Sequence, residues 1–285
     1  MNLERLMQWP FEDIVQTYTS RDSMLYALGL GLGHDPMNVA QLRFVYEGAQ
    51  EFTAFPTMPV VLCHPGQWTT DTATGISRSQ QVHGEQGIIL HRPLQPAGRL
   101  RGRTRVTGVV DKGKGRGALL YTERHIVNDE SGEPVATLSS TSFCRGDGGF
   151  GGPNGPVKAV HPVPERAPDA IVHLPTLAQT ALIYRLSGDL NPLHADPEYA
   201  RKAGFERPIL HGLSTFGMGA WAVIREFCNG DPTVLRAIAV RFSAPVVPGE
   251  TVSFELWRDS STVTIRAWVK ARNAKVLDNG KAEIA

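Results

Sequence analysis

The chain has 285 residues, 41% of them hydrophobic and 20% charged, with a formal net charge of +1. That length admits two small domains or one large one, the composition is that of a globular protein, and the near-zero charge gives no overall pull toward nucleic acid or membrane. No apolar run approaches the ~20 residues of a membrane span.

The N-terminal stretch mixes Glu4, Arg5 and Glu12 with apolar residues and is not a signal peptide. The C-terminus, Ala282-Glu283-Ile284-Ala285, is not a peroxisomal address. Cys63, Cys144 and Cys228 are widely separated and odd in number, which argues against a disulfide framework and for a reducing, cytoplasmic compartment. With no Cys-x-x-Cys, no His-Glu-x-x-His and no other metal spacing among the histidines, no metal is expected.

Along the first half, the Gly29-Leu30-Gly31-Leu32-Gly33 run lacks dinucleotide spacing and reads as a close-packed helix end. Arg99, Arg101, Arg103 and Arg105 alternate, so they project from one face of a strand. A solvated outer face is the preferred reading. Lys112 to Arg116 reads as a flexible hairpin turn. No aromatic interleaving accompanies either basic cluster, which argues against nucleic-acid binding.

Arg145 to Pro156 is rich in glycine and proline and breaks both helix and strand. It divides the chain into residues 1–144, a linker over 145–165 and residues 166–285. The halves echo each other in order: Tyr26-Ala27-Leu28-Gly29 with Tyr184-Arg185-Leu186-Ser187, Pro59-Val60-Val61-Leu62 with Pro208-Ile209-Leu210-His211, and Pro93 to Gly98 with Pro245 to Gly249. Three echoes in one order suggest a duplicated unit.

In the second half, Thr176 to Leu186 carries Leu177, Ala181 and Tyr184 at helical spacing after Pro175. Asp196-Pro197 opens a short helix that Gly204 stops. Leu213 to Phe227 is the longest apolar helical run. Strands are expected over Ala237–Ser243, Thr251–Arg258, Thr262–Ala271 and Lys275–Leu277. Helix followed by strands is an α+β pattern.

The sharpest motif is Tyr184-Arg185-Leu186-Ser187-Gly188-Asp189-Leu190-Asn191-Pro192-Leu193-His194. Asn-Pro stops a helix, since proline has no N–H and disfavours helical geometry in the residue before it. The bend brings Asp189 and His194 toward one point, and a carboxylate and an imidazole sharing one water form an acid/base pair. A bland alternative is a helix end followed by an Asx turn and a surface histidine.

The segment resembles the signature of the (R)-specific enoyl-CoA hydratases, the MaoC-like or hydratase 2 family, in every element: aromatic, apolar, small, then Gly-Asp-x-Asn-Pro-Leu-His. Leu90-His91-Arg92-Pro93-Leu94 and Val110 to Gly115 also look like stretches of two-unit members. The resemblance implies a double hot dog, two fused units each with a long helix wrapped by an antiparallel sheet. It implies reversible hydration of trans-2-enoyl-CoA to (3R)-3-hydroxyacyl-CoA, with Asp189 and His194 as the catalytic pair. Asn191 either orients that pair or closes its turn. Gly212 of the His211-Gly212 pair is expected to give an oxyanion-hole N–H at a helix N-terminus. Tyr184, Gly188 and His211 are expected against substrate, with His211 outside the acid/base pair.

The first half has no aspartate in the matching place and carries Leu62-Cys63 where the second carries His211-Gly212. One competent unit is therefore expected, the other making room for a long or bulky acyl chain. The expected partner is an acyl-CoA thioester, with no cofactor beyond the CoA of the substrate. Two fused units can stand alone as a pseudo-dimer or pair further as a homodimer. The alternatives are a hydratase for a specialised (dicarboxylic or branched) acyl-CoA and a hot dog thioesterase. An acyl-CoA-binding module has no need of an intact Asp-x-Asn-Pro-x-His. Phosphates of CoA are a second reading of the arginine strip.

Overall fold

The computed structural model describes residues 1–285. The strands are β1 (Ile14–Tyr18), β2 (Gln81–Leu90), β3 (Gly98–Asp111), β4 (Ala118–Asn128), β5 (Pro134–Cys144), β6 (Ala170–Pro175), β7 (Leu235–Phe242), β8 (Thr251–Asp259), β9 (Thr262–Val269) and β10 (Ala274–Ile284). All ten form one antiparallel sheet in the order β1-β3-β4-β5-β2-β7-β10-β9-β8-β6. The order is a palindrome: each half contributes five strands arranged alike. The halves meet where β2 pairs with β7, from Glu85↔Arg241 to Ile89↔Ala237. At that seam the Arg241 guanidinium donates to Glu85 at 2.6 Å.

Strand β3 shows why the sheet has two faces. Leu100, Gly102, Thr104 and Val106 are buried, while the intervening arginines point outward. The arginines are paired on that outer face: Arg99 with Asp129 at 2.7 Å, Arg103 with Asp13 at 2.6 Å, and Arg105 with Glu123 at 2.6 Å. The solvated-face reading therefore fits the geometry. The Lys112–Arg116 turn joins β3 to β4, with Arg116 N–H bonded to Gly113 O at 3.0 Å.

The helices are α1 (Leu3–Met7), α2 (Ser20–Gly29), α3 (Val39–Val45), α4 (Thr180–Tyr184), α5 (Pro197–Lys202) and α6 (Gly212–Phe227). Helix α6 is buried without a break from Ser214 to Ile224. A helix apolar all round belongs inside a core. Its glycines let it lie close to neighbours: a Cβ on Gly217 would sit 2.6 Å from Leu30 of the first half. Ser214 Oγ donates to Gly29 O at 2.9 Å. Gly29 in turn abuts Tyr184, 3.0 Å from where a Cβ would stand to its Cα, so the glycine run is indeed a close-packed helix end. One core of 47 buried residues draws on both halves.

Three expectations need correction. A long helix exists only in the second half. Around Pro59 the first half makes only a 3-10 turn, Met58–Val60, Cys63 turns left-handed at φ 49°, and the chain on to β2 holds only three more 3-10 turns. The following His64-Pro65-Gly66 cannot continue a helix, because proline has no N–H to give. The Thr176–Leu186 helix is shorter, α4 passing into a 3-10 turn at Arg185–Ser187. The last strand is longer than Lys275–Leu277. Its pairing with β7 shifts register between Asp278 and Lys281, and a bulge there hides the alternation.

Candidate active site

The site is built on the chain between α4 and α5. Gly188 has φ 124°, outside the range of ordinary side chains, and turns the backbone after the 3-10 turn. It faces Val61 of the first half, whose carbonyl is 3.8 Å from where a Cβ would stand. Asp189 Oδ1 accepts the Asn191 N–H at 3.2 Å, and Asn191 Oδ1 accepts the Leu193 N–H at 3.1 Å. Two consecutive Asx turns thus swing His194 back toward Asp189. The Asn191 side-chain oxygen closes the turn.

Two imidazoles meet there. His194 is buried, and its Nδ1–H donates to Ile209 O at 2.8 Å. A carbonyl only accepts, so Nε2 is left with a free lone pair. His211 is also buried, and its Nε2–H donates to the backbone O of Asp189 at 3.2 Å. Its Nδ1 is buried with no partner. The rings stack with centroids 3.7 Å apart, and Tyr184 packs on His211 at 4.9 Å. The Asp189 carboxylate and the two imidazoles bring ligand-capable atoms within 4.8 Å of one another. Burial pushes the His211 imidazole down to about 4, with neighbouring His194 adding to the shift. Burial likewise lowers His194, opposed by its bond to Ile209 and the charge of Asp189.

His211 precedes α6 and Gly212 is its first residue. The first N–H groups of a helix have no intrahelical partner and carry partial positive charge. The Gly212 Cα faces the Phe242 ring, 3.2 Å from where a Cβ would stand. Tyr184 Oη, Arg185 Nε, Ser187 Oγ and His211 Nδ1 are all buried and unpartnered. Buried polar atoms are normally satisfied.

Asp189, His194 and His211 lie together, with Tyr184 packed on His211, Gly188 preceding Asp189 and Gly212 beginning the adjacent helix. Two other residues join them that no sequence signal marked. His64 follows the first-half turn that backs Gly188, and His83 lies against Phe242 at 4.9 Å and against Ser140 Oγ at 3.1 Å. Both residues are exposed. Desolvation lowers both, His64 to about 4, and the Asp189 carboxylate opposes it in each case. Only the pairing of the halves brings them here.

A carboxylate and a proton-accepting imidazole beside a helix tip suit addition or removal of water next to a carbonyl. The fold and site define a double hot dog hydro-lyase. The chain belongs to the MaoC-like dehydratase and hydratase 2 family: residues 159–279 match the MaoC like domain and residues 16–146 the MFE-2 hydratase 2 N-terminal domain. It is 39% identical to 3-hydroxyacyl-thioester dehydratase Y of Mycobacterium tuberculosis, over 95% of this chain and 94% of that one. It is 37% identical to the probable enoyl-CoA hydratase 2 of Dictyostelium discoideum, over 100% of this chain and 97% of the relative. The fold is shared with the crystal structure of a MaoC-like dehydratase from Phytophthora capsici, with a TM-score of 0.88, 38% identity, and coverage of 100% of this chain and 99% of that one. No helix is long and apolar enough to cross a membrane.

Proposed function

We propose that the protein hydrates trans-2-enoyl-CoA reversibly to (3R)-3-hydroxyacyl-CoA, with Asp189 and His194 sharing one water. The observation that carries this reading is that a carboxylate oxygen of Asp189 and a ring nitrogen of His194 lie within 4.8 Å of each other. Water between them gives a proton to His194 Nε2 while Asp189 accepts its other O–H. The hydroxide equivalent bonds to the β-carbon, and the double-bond electrons move onto the α-carbon and the thioester oxygen. The Gly212 N–H at the tip of α6 stabilises that oxygen. The imidazolium, held beside the Asp189 carboxylate, returns its proton to the α-carbon. Each atom of the water ends on the product, and the reverse path is the dehydration.

Two relatives named for enoyl-CoA hydratase and 3-hydroxyacyl-thioester dehydratase support the substrate class. The test follows double-bond absorbance and free thiol together, with the product's stereochemistry determined. Loss of the double bond without thiol, giving the 3R alcohol, is expected. Thiol release instead would identify a thioesterase.

The first half, lacking both a long helix and an acid/base pair, is assigned to holding a long or bulky acyl chain. A panel of enoyl-CoAs of graded length and branching tests this, and turnover of crotonyl-CoA alone would overturn it. Exposed His64 and His83, both close enough to feel the Asp189 charge, favour a second reading in which the acyl group carries a further carboxylate. Dicarboxylic enoyl-CoAs in the same panel decide it. Three free cysteines, all buried, support a reducing compartment such as the cytoplasm.

A further inference from the structure

We infer that Ser214 and Gly29 are positioning residues for the proposed hydration: one hydrogen bond between them, made across the two halves, sets where the Gly212 N–H stands relative to Asp189 and His194. Ser214 is the third residue of α6, and its Oγ donates to Gly29 O at 2.9 Å. Both residues are buried. Gly29 ends α2, so its carbonyl has no intrahelical partner, and a buried carbonyl left empty is costly. Ser214 fills it. The last carbonyls of a helix are its negative pole and the first turn its positive pole, so α2 and α6 meet with opposite poles.

Gly29 touches the other side of the site as well. A Cβ on it would stand 3.0 Å from the Tyr184 Cα, which puts the backbones of α2 and α4 in close contact. Tyr184 belongs to the segment that runs on to Asp189, and its ring packs on His211, the residue before Gly212. One glycine of the first half is thus held against both elements that carry the chemistry. Helix α4 leads into Asp189 and His194, and α6 has Gly212 at its tip.

At that tip the Ser214 and Thr215 N–H groups both return to His211 O, at 3.1 and 3.3 Å, and the Gly212 N–H has no partner in the fold. Its direction follows the rotation of this first turn, which the Ser214 hydroxyl fixes. The thioester oxygen must reach it while Asp189 and His194 hold the water. A displacement of about 1 Å in such an arrangement can cost about 10²-fold in rate. Besides the acyl-chain role proposed for it, the first half therefore supplies the reference point from which the acid/base pair and the helix tip are both placed.

Ser214→Ala removes the donor and leaves the rest of the turn. Its kcat should fall roughly 10- to 100-fold, while KM and the affinity for a saturated acyl-CoA change by less than about twofold. A second readout needs no turnover: the thioester C=O stretch of bound saturated acyl-CoA, taken from isotope-edited infrared difference spectra. A hydrogen bond from Gly212 lowers that frequency in the native chain, and Ser214→Ala should return it toward the free value. Ser214→Cys keeps the volume with a weaker donor and carries the test if the alanine variant does not fold. Ile265→Val trims the core in β9 and should lower the melting temperature while leaving kcat and the C=O frequency as they are. Native kcat or a native C=O frequency in the folded Ser214 variant, or the same losses in Ile265→Val, would overturn the inference.

The inference rests on the proposed hydration, and the two fail separately. A native chain that hydrates no enoyl-CoA refutes the reaction, while the infrared shift still decides whether Ser214 sets the Gly212 hydrogen bond.

Discussion

The imidazole rings of His194 and His211 stack with centroids 3.7 Å apart and planes inclined by 26°. Two positive rings would repel each other strongly at that separation in a buried setting. Burial, first, and for His211 the neighbouring His194, second, therefore favour the neutral rings.

That neutrality has a stability signature. The folded chain holds His211 near 4, against an ordinary value of 6.5, so below the latter the unfolded chain binds a proton that the folded chain refuses. The contribution is complete above about 6.5 and is lost as the pH falls toward 4, on the order of 3 kcal/mol from this residue. Denaturant unfolding across that window should show stability falling with acid, and His211→Gln should flatten the slope. An unchanged slope would mean that His211 protonates freely in the folded state.

Asp189→Asn and His194→Ala should each lower kcat by roughly 10²- to 10⁴-fold, the usual worth of a positioned acid or base. Binding of a saturated acyl-CoA, read by calorimetry, should survive in both. Comparable turnover in either variant would remove that residue from the acid/base pair.

Gly212→Ala places a methyl 3.2 Å from the Phe242 ring at the tip of α6. The backbone there is not left-handed, so alanine fits the helix itself. The expected result is a loss in kcat/KM of about 10²-fold or more with little change in melting temperature. A fall in both together would mark the glycine as a packing residue.

Gly217→Val drives a side chain into Leu30 across the two halves, where even a Cβ would stand at 2.6 Å. Overpacking of this kind costs about 1–3 kcal/mol. A single unfolding transition shifted to lower urea is expected, because one core spans both halves. Two separated transitions would show that the halves unfold independently.

Much of the site could be read before any coordinates. Asp189, Asn191 and His194 sit at the motif spacing, and the side chain of Asp196 accepts from Glu198 and Tyr199 N–H as its cap position implied. The alternating arginines of β3 showed their outward face through period two alone. What stayed hidden depends on contacts distant in sequence or on local irregularity. His83 comes near Asp189 through β2, which pairs with β7, and His64 through the turn whose Val61 faces Gly188, and no spacing within either half encodes those contacts. The bulge near Asn279, at φ 52°, breaks the alternation of β10. In the first half, the resemblance implied a long helix that Pro65 does not permit after Leu62.

The mirrored strand order has an evolutionary corollary. When two identical subunits assemble, every substitution lands twice, and damage to one copy is damage to both. Joined in one polypeptide, the copies vary separately. Leu62 and Cys63 can stand where the sister half carries His211 and Gly212, and the halves are free to specialise without breaking the sheet they share.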